Sequence, residues 1–210
     1  MSLQLTRDGA VLHIQLDRPA SRNAIDAPMR DALYEAFLYV QDDATIHAVV
    51  LSGNGKGFCA GADLQEFSDA LSVLKKRRIR QQHDVWELIR SCPKLTIVAM
   101  HGFAIGSGIE LAMLCDIRFA TATTIFALPE VSIGMMPAAG GTQSLPRATS
   151  LAKALHLALT AERFDAQQAY RWGIIQDVCE NVVEQAMSYA HHATEHPQYM
   201  QLVKQQLLHR

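Results

Sequence analysis

The chain has 210 residues, of which 49% are apolar and 19% charged, and its net charge is −2 with histidine neutral. That length and composition suit a globular protein with one substantial core and exclude a disordered chain. The charge balance also excludes a nucleic-acid surface built on bulk positive charge.

In chain order, Met1-Ser2-Leu3-Gln4-Leu5-Thr6-Arg7-Asp8 carries neither the basic nor the apolar stretch of a signal peptide. Leu12, Ile14 and Leu16 alternate with His13, Gln15 and Asp17, the period of a half-buried strand, which Arg18-Pro19 ends. Asp26 as N-cap and Pro28 in the first turn predict a helix with the apolar stripe Met29, Leu33, Phe37 and Val40. The run Ala48-Val49-Val50-Leu51 predicts a strand covered on both faces, opening into a glycine-rich loop from Ser52 to Gly61. Helical spacing over Leu64, Phe67, Leu71 and Leu74, then Val85, Leu88 and Ile89, predicts helix between 64 and 90, which Pro93 ends. The basic run Lys75-Lys76-Arg77-Arg78 with Arg80 falls there as a solvated face, with attraction of a phosphorylated ligand as the second reading.

A buried strand is predicted at Leu95–Met100, a helix from 107 to about 115, and a strand over Ile117-Arg118-Phe119-Ala120. The rest reads as helices: 151–160, then one capped by Asp165 and stopped at Gly173, then 182–196. Strands alternating with helices, followed by helices, predict an α/β protein with a helical C-terminal section. No apolar run reaches the roughly eighteen residues that span a bilayer. Cysteines 59, 92, 115 and 179 form no CxxC; Cys59 and Cys115 are expected to pack as small hydrophobes, in a reducing, cytoplasmic setting. His192 and His196 stand four apart, but no carboxylate at 193 completes an HExxH pattern, so no metal site is predicted.

Two carboxylates stand out. Glu110 is the only ionisable residue in 105–115, and Glu130 lies between Phe126-Ala127-Leu128-Pro129 and Val131-Ser132-Ile133-Gly134. A carboxylate in apolar surroundings is costly unless it is paired, hydrogen-bonded or protonated. Such a pair suits general acid–base chemistry near neutral pH. The alternative is a structural glutamate paired with an arginine such as Arg118.

Two loops could serve that chemistry. Gly53-Asn54-Gly55-Lys56-Gly57 fails the Walker pattern, because Gly57 follows the lysine, and Phe58 takes the third glycine of a dinucleotide fingerprint. The second loop is Gly106-Ser107-Gly108. A serine-hydrolase elbow needs glycines two residues to either side of the serine, where this chain has Ile105 and Ile109. What remains is the backbone: a helix N-terminus presents unpaired amides to an anion, and a second amide from the first loop would complete an oxyanion hole.

The ordered blocks Leu16-Asp17-Arg18-Pro19, Arg22-Asn23-Ala24 and 57–64, then 102–112, 115–118, 126–130, 134–137 and 140–143 resemble the crotonase superfamily (the enoyl-CoA hydratase/isomerase family). The likeness runs from near the N-terminus to about residue 190. It implies an α/β crotonase-like fold, a spiral core of ββα units with a shortened C-terminal helical region. The implied division is an acyl-CoA-binding core over 1–190 and a truncated helical segment over 191–210.

The resemblance further implies that the amides of Ala62 and Ser107 bind a thioester oxygen and that Glu110 and Glu130 are the catalytic pair. Arg22, Ala24, Ala60, Ala62, Asp63, Leu64, Gln65 and Ser107 match positions that hold CoA. The implied reaction is syn addition of water to a 2-enoyl-CoA, giving a 3-hydroxyacyl-CoA. Alternatives are isomerase, dehydratase, decarboxylase or thioester hydrolase chemistry, or a non-catalytic binding or assembly subunit. No cofactor beyond the CoA of the substrate is implied, and no nucleic-acid or membrane partner. The assembly implied is a homo-oligomer, a trimer or dimer of trimers. Ser107 and Ala138 stand where many relatives have glycine.

Overall fold

The computed structural model describes residues 2–68 and 83–208. The helical positions Leu71 and Leu74 and the basic run Lys75-Lys76-Arg77-Arg78 with Arg80 lie outside the described residues. In chain order the strands are β1 (Leu3–Asp8), β2 (Val11–Leu16), β3 (Ala48–Gly53), β4 (Leu95–Met100) and β5 (Phe103–Ile105). They continue with β6 (Ile117–Ala120), β7 (Ile125–Ala127), β8 (Phe164–Asp165) and β9 (Asp177–Val178).

One sheet runs β1-β2-β3-β4-β6-β9 and a smaller one β5-β7-β8. In the first, only the β1–β2 hairpin is antiparallel, with Leu3 opposite Leu16. All six residues of β3 and of β4 are buried, because both faces of the sheet are covered. Leu12, Ile14, Val49, Leu51, Val98 and Met100 belong to the main core on one face. Val11, Val50, Ile97, Ala99 and Phe119 belong to a second cluster on the other. β1 carries no sequence signal of a strand, since only Leu3 of its six residues is buried and the alternation is lost.

Helix α1 (Ala27–Asp42) forms as expected. The Asp26 side chain accepts from Met29 N at 2.9 Å, and Met29, Leu33, Ala36, Phe37 and Val40 are buried against the main core. Full burial of a side chain such as Leu33 or Phe37 contributes roughly 1.5–3 kcal/mol. Of the expected helix between 64 and 90, the described residues show a 3₁₀ turn at Leu64–Ser68 and α2 (Val85–Arg90). Helix α3 (Ser107–Met113) stops two residues before the predicted end. There Leu114 N and Cys115 N donate three residues back, to Leu111 O and Ala112 O, which tightens the last turn.

Helix α4 (Gly141–Ala148) carries no prediction, because its opening glycine and internal Pro146 both argue against helix. Helix α5 (Leu151–Thr160) keeps its predicted bounds, and α6 (Ala166–Arg171) starts from a capping box between Asp165 and Gln168. The stretch predicted as one helix over 182–196 ends earlier, as α7 (Val182–Ala193). A separate helix, α8 (Pro197–Leu208), begins at the proline. α7 supplies Val182, Ala186 and Ala190 to the second core cluster. Lys204 fastens α8: its ammonium donates to Lys94 O at 2.7 Å and pairs with Asp116 Oδ2 at 2.6 Å. No helix among the described residues is long and apolar enough to cross a membrane.

Candidate active site

The two predicted loops zip together. Cys59 pairs with Ala104 as a parallel bridge, with Cys59 N donating to Phe103 O and Ile105 N to Cys59 O. Ala62 and Ser107 therefore stand at equivalent steps beyond that bridge. Gly61 permits the contact: a Cβ there would lie 2.7 Å from Ile105 O and 3.4 Å from Ser107 N, and its φ of +100° suits only glycine. Next to it, Ile25 N donates to Gly61 O and Asp63 N to Ile25 O, which leaves the Ala62 amide unused by the bridge. Among the described residues, neither Ala62 N nor Ser107 N has an acceptor. Both free amides belong to residues on the wall of a cavity of about 550 Å³.

Glu110 and Glu130 line that same cavity. Glu110 is buried on the first turn of α3, and two backbone amides of the 139–141 segment reach its Oε1: Ala139 N at 3.0 Å and Gly141 N at 2.7 Å. Oε2 accepts from the Ser107 hydroxyl at 3.3 Å. The alternative of a pair with Arg118 does not hold, since that guanidinium donates to Ile174 O and Cys115 O at 2.6 Å each.

Glu130 opens a 3₁₀ turn (Glu130–Ile133) after Pro129, and its Oε2 is buried with no hydrogen-bond partner among the described residues. Burial pushes its carboxyl up from the ordinary value; a backbone hydrogen bond opposes this and the neighbouring Glu110 carboxylate adds to it. One acid is thus held by protein donors, and burial shifts the other toward its protonated form.

Of the positions expected to hold CoA, Ala60, Ala62, Leu64 and Ser107 line the cavity. Arg22, Ala24, Asp63 and Gln65 do not. Arg22 and Gln65 are exposed; the Arg22 carbonyl accepts from Ala60 N, and the Asp63 carboxylate pairs with Arg18 at 3.4 Å. Ala24 is half-buried, its carbonyl taken by the same arginine.

Between them, Asn23 turns inward and is fully buried at a φ of +55°. Its side-chain amide donates to Asn54 O, Gly57 O and Phe58 O at 2.8–3.1 Å, and its Oδ1 accepts from Arg18 N. Asn23 therefore holds the shape of the glycine-rich loop. Cys59 assists: burial pushes its thiol up to about 12, so it stays a donor to Asn23 O at 3.1 Å while its sulfur accepts from Gly61 N at 3.4 Å.

The rest of the wall includes Trp86, Ile133, Met135 and Met136, none of which was named as a site residue from the sequence. The one available signal was apolar residues in a loop, for Ile133 and Met136 are more than half exposed. A wider groove of about 1200 Å³, between α2, α4, α7 and α8, shares Trp86 and Ala139 with the cavity. It holds neither glutamate and neither free amide.

This is the fold of a crotonase. The enoyl-CoA hydratase/isomerase family profile matches residues 6–210, and the chain belongs to that family. It is 36% identical over 208 residues to the 2,3-dehydroadipyl-CoA hydratase of Escherichia coli (strain K12), covering 98% of this chain and 81% of that protein. It is 38% identical over 184 residues to the mitochondrial enoyl-CoA hydratase of Pongo abelii, covering 84% of this chain but spanning only 61% of that protein. Among solved structures, enoyl-CoA hydratase subunit I of Geobacillus kaustophilus HTA426 superposes with a TM-score of 0.93 at 31% identity, over 99% of this chain and 81% of that one. The enoyl-CoA hydratase of Bacillus anthracis gives 0.91 at 29% identity, over 98% and 81%.

Proposed function

We propose that the chain is an enoyl-CoA hydratase, adding water reversibly and syn across the double bond of a 2-enoyl-CoA to give a 3-hydroxyacyl-CoA. The observation that carries this reading is the convergence of two unpaired amides and two buried carboxyls on one cavity. The thioester oxygen accepts from Ala62 N and Ser107 N. Glu110, whose Oε1 already accepts two amide protons, takes a proton from water as the water oxygen bonds to the β-carbon. The π electrons move onto the thioester oxygen as an enolate. That enolate collapses as the α-carbon takes the proton of Glu130, and transfer of the proton from Glu110 to Glu130 through water resets the pair. Loss of one amide donor to such an oxyanion costs about 3–4 kcal/mol of barrier.

Arg22, Ala24, Asp63 and Gln65 lie outside the cavity on this reading as well, where the polar nucleotide end of CoA can meet solvent-facing groups. Trp86, Ile133, Met135 and Met136 offer the acyl chain an apolar wall. The test is purified protein with crotonyl-CoA and longer 2-enoyl-CoAs near neutral pH. Loss of the enoyl-thioester absorbance is expected, and no loss at any chain length overturns the reading. A Glu110→Ala variant that loses hydration but still moves a double bond would instead mark an isomerase.

A further inference from the structure

The two oxygens of Glu110 have unequal partners. Oε1 is pinned by the amides of Ala139 and Gly141, at 3.0 and 2.7 Å. A carboxylate held at one corner can still turn about it unless its second oxygen is also held. That oxygen, Oε2, accepts from the Ser107 hydroxyl at 3.3 Å. Ser107 lines the cavity and precedes Glu110 by three residues on α3, so the two side chains share one helix face.

Building on the hydratase reading, we propose that the Ser107 hydroxyl is a positioning group that fixes Glu110 Oε2 for proton abstraction from the attacking water. A hydroxyl donates and accepts at once. It can therefore donate to Oε2 while its lone pairs receive a proton of the water, setting the water against the β-carbon. The same residue's amide is one of the two free donors, so Ser107 ties the position of the thioester oxygen to the position of the base. A glycine at 107 would keep the amide and lose that tie.

Donation to the ionised carboxyl also favours it over the protonated form. The titratable group facing Glu110 across the cavity is Glu130, from the 3₁₀ turn; the 139–141 segment contributes only amides. The other ionisable residues of the wall are Asp31, His83, and Arg30 with Glu66, the last two paired at 2.8 Å.

The test compares Ser107→Ala, which deletes the hydroxyl and keeps the amide, with Ser107→Thr, which keeps both. One readout is independent of turnover: ¹³C NMR titration of the Glu110 carboxyl in the ligand-free protein, its signal assigned by absence in Glu110→Gln. The other is kcat and KM across pH with an enoyl thioester. Ser107→Ala should raise the Glu110 midpoint, lower kcat about tenfold with KM little changed, and move the acidic limb of the rate profile to higher pH. Ser107→Thr should restore all three. An unmoved Glu110 midpoint in Ser107→Ala overturns the proposal, and so does a fall in kcat with an unchanged pH profile, which a merely structural role would give. A wild type that hydrates nothing counts against the hydratase reading alone, since the titration still decides whether the hydroxyl holds Oε2.

Discussion

Glu110 and Glu130 are both buried, and their neighbours divide the labour between them. Ser107, Ala139 and Gly141 all donate to Glu110, while Glu130 Oε2 has no partner among the described residues. Glu130→Gln should lower hydration about 10²–10⁴-fold, the usual worth of a general acid, with the enoyl-thioester absorbance as the measure. A variant within threefold of wild type would remove Glu130 from the mechanism. The pH dependence has a definite sign. Burial raises the Glu130 pKa, so on the proposed mechanism activity should fall as pH rises through that raised value. Stability follows the same direction. A carboxyl with a raised folded pKa contributes fully below its unfolded value, and that contribution fades as pH climbs through the folded one. Thermal melts should therefore show the wild type losing ground to Glu130→Gln over that window, and parallel curves would contradict a pKa raised by burial.

At the scale of the element, backbone places the amides and the loops are shaped to aim it. Gly106 begins α3 at a φ of +52°, and a Cβ there would lie 2.9 Å from Glu130 Oε1. Gly106→Ala should cost about 1–3 kcal/mol in stability and displace the acid as well. A denaturant melt and a kcat measurement check the two parts separately; an unaltered rate would mean the carboxyl does not need that position. Asn23→Ala attacks the other loop. It leaves three carbonyls, those of Gly57 and Phe58 buried, without their donor and puts alanine at a φ of +55°, so a loss of about 3 kcal/mol or more is expected in the same melt. The motif around Asn23 is legible in the sequence, but its inward role is not, because Arg22-Asn23-Ala24 looks the same whether its side chains face a ligand or a loop. Glu110 and Glu130 are legible because each is a lone charge among apolar residues. The amides that hold Glu110 are not, since Ala139 and Gly141 come from the 139–141 segment and act through main chain that no side-chain pattern reports.

For the whole molecule, strong periodicity marks the central layers, and the edges escape it. β3, β4 and α1 are read from apolar runs and stripes because they are covered by the core, whereas β1 faces solvent with five of its six residues. α8 escapes for a related reason: much of its apolar surface stays exposed, and a polar anchor holds it to the sheet. Tyr199, Leu202, Val203 and Leu207 are all more than half exposed, so apolar burial of these side chains does little to fix the helix. Lys204 does that work at the N-terminal ends of β4 and β6, where Asp116 also accepts from Thr96 N and Oγ1 at 2.8 and 2.9 Å. Lys204→Met removes the cation but leaves those two donors on the carboxylate, so the global cost should be about 1–2 kcal/mol, less than for a fully stranded charge. The local effect should be larger. Amide hydrogen exchange in α8 should rise while exchange in β3 and β4 stays slow, because the helix then opens without the core. Equal protection of α8 in the variant and the wild type would show that apolar contacts hold the helix after all.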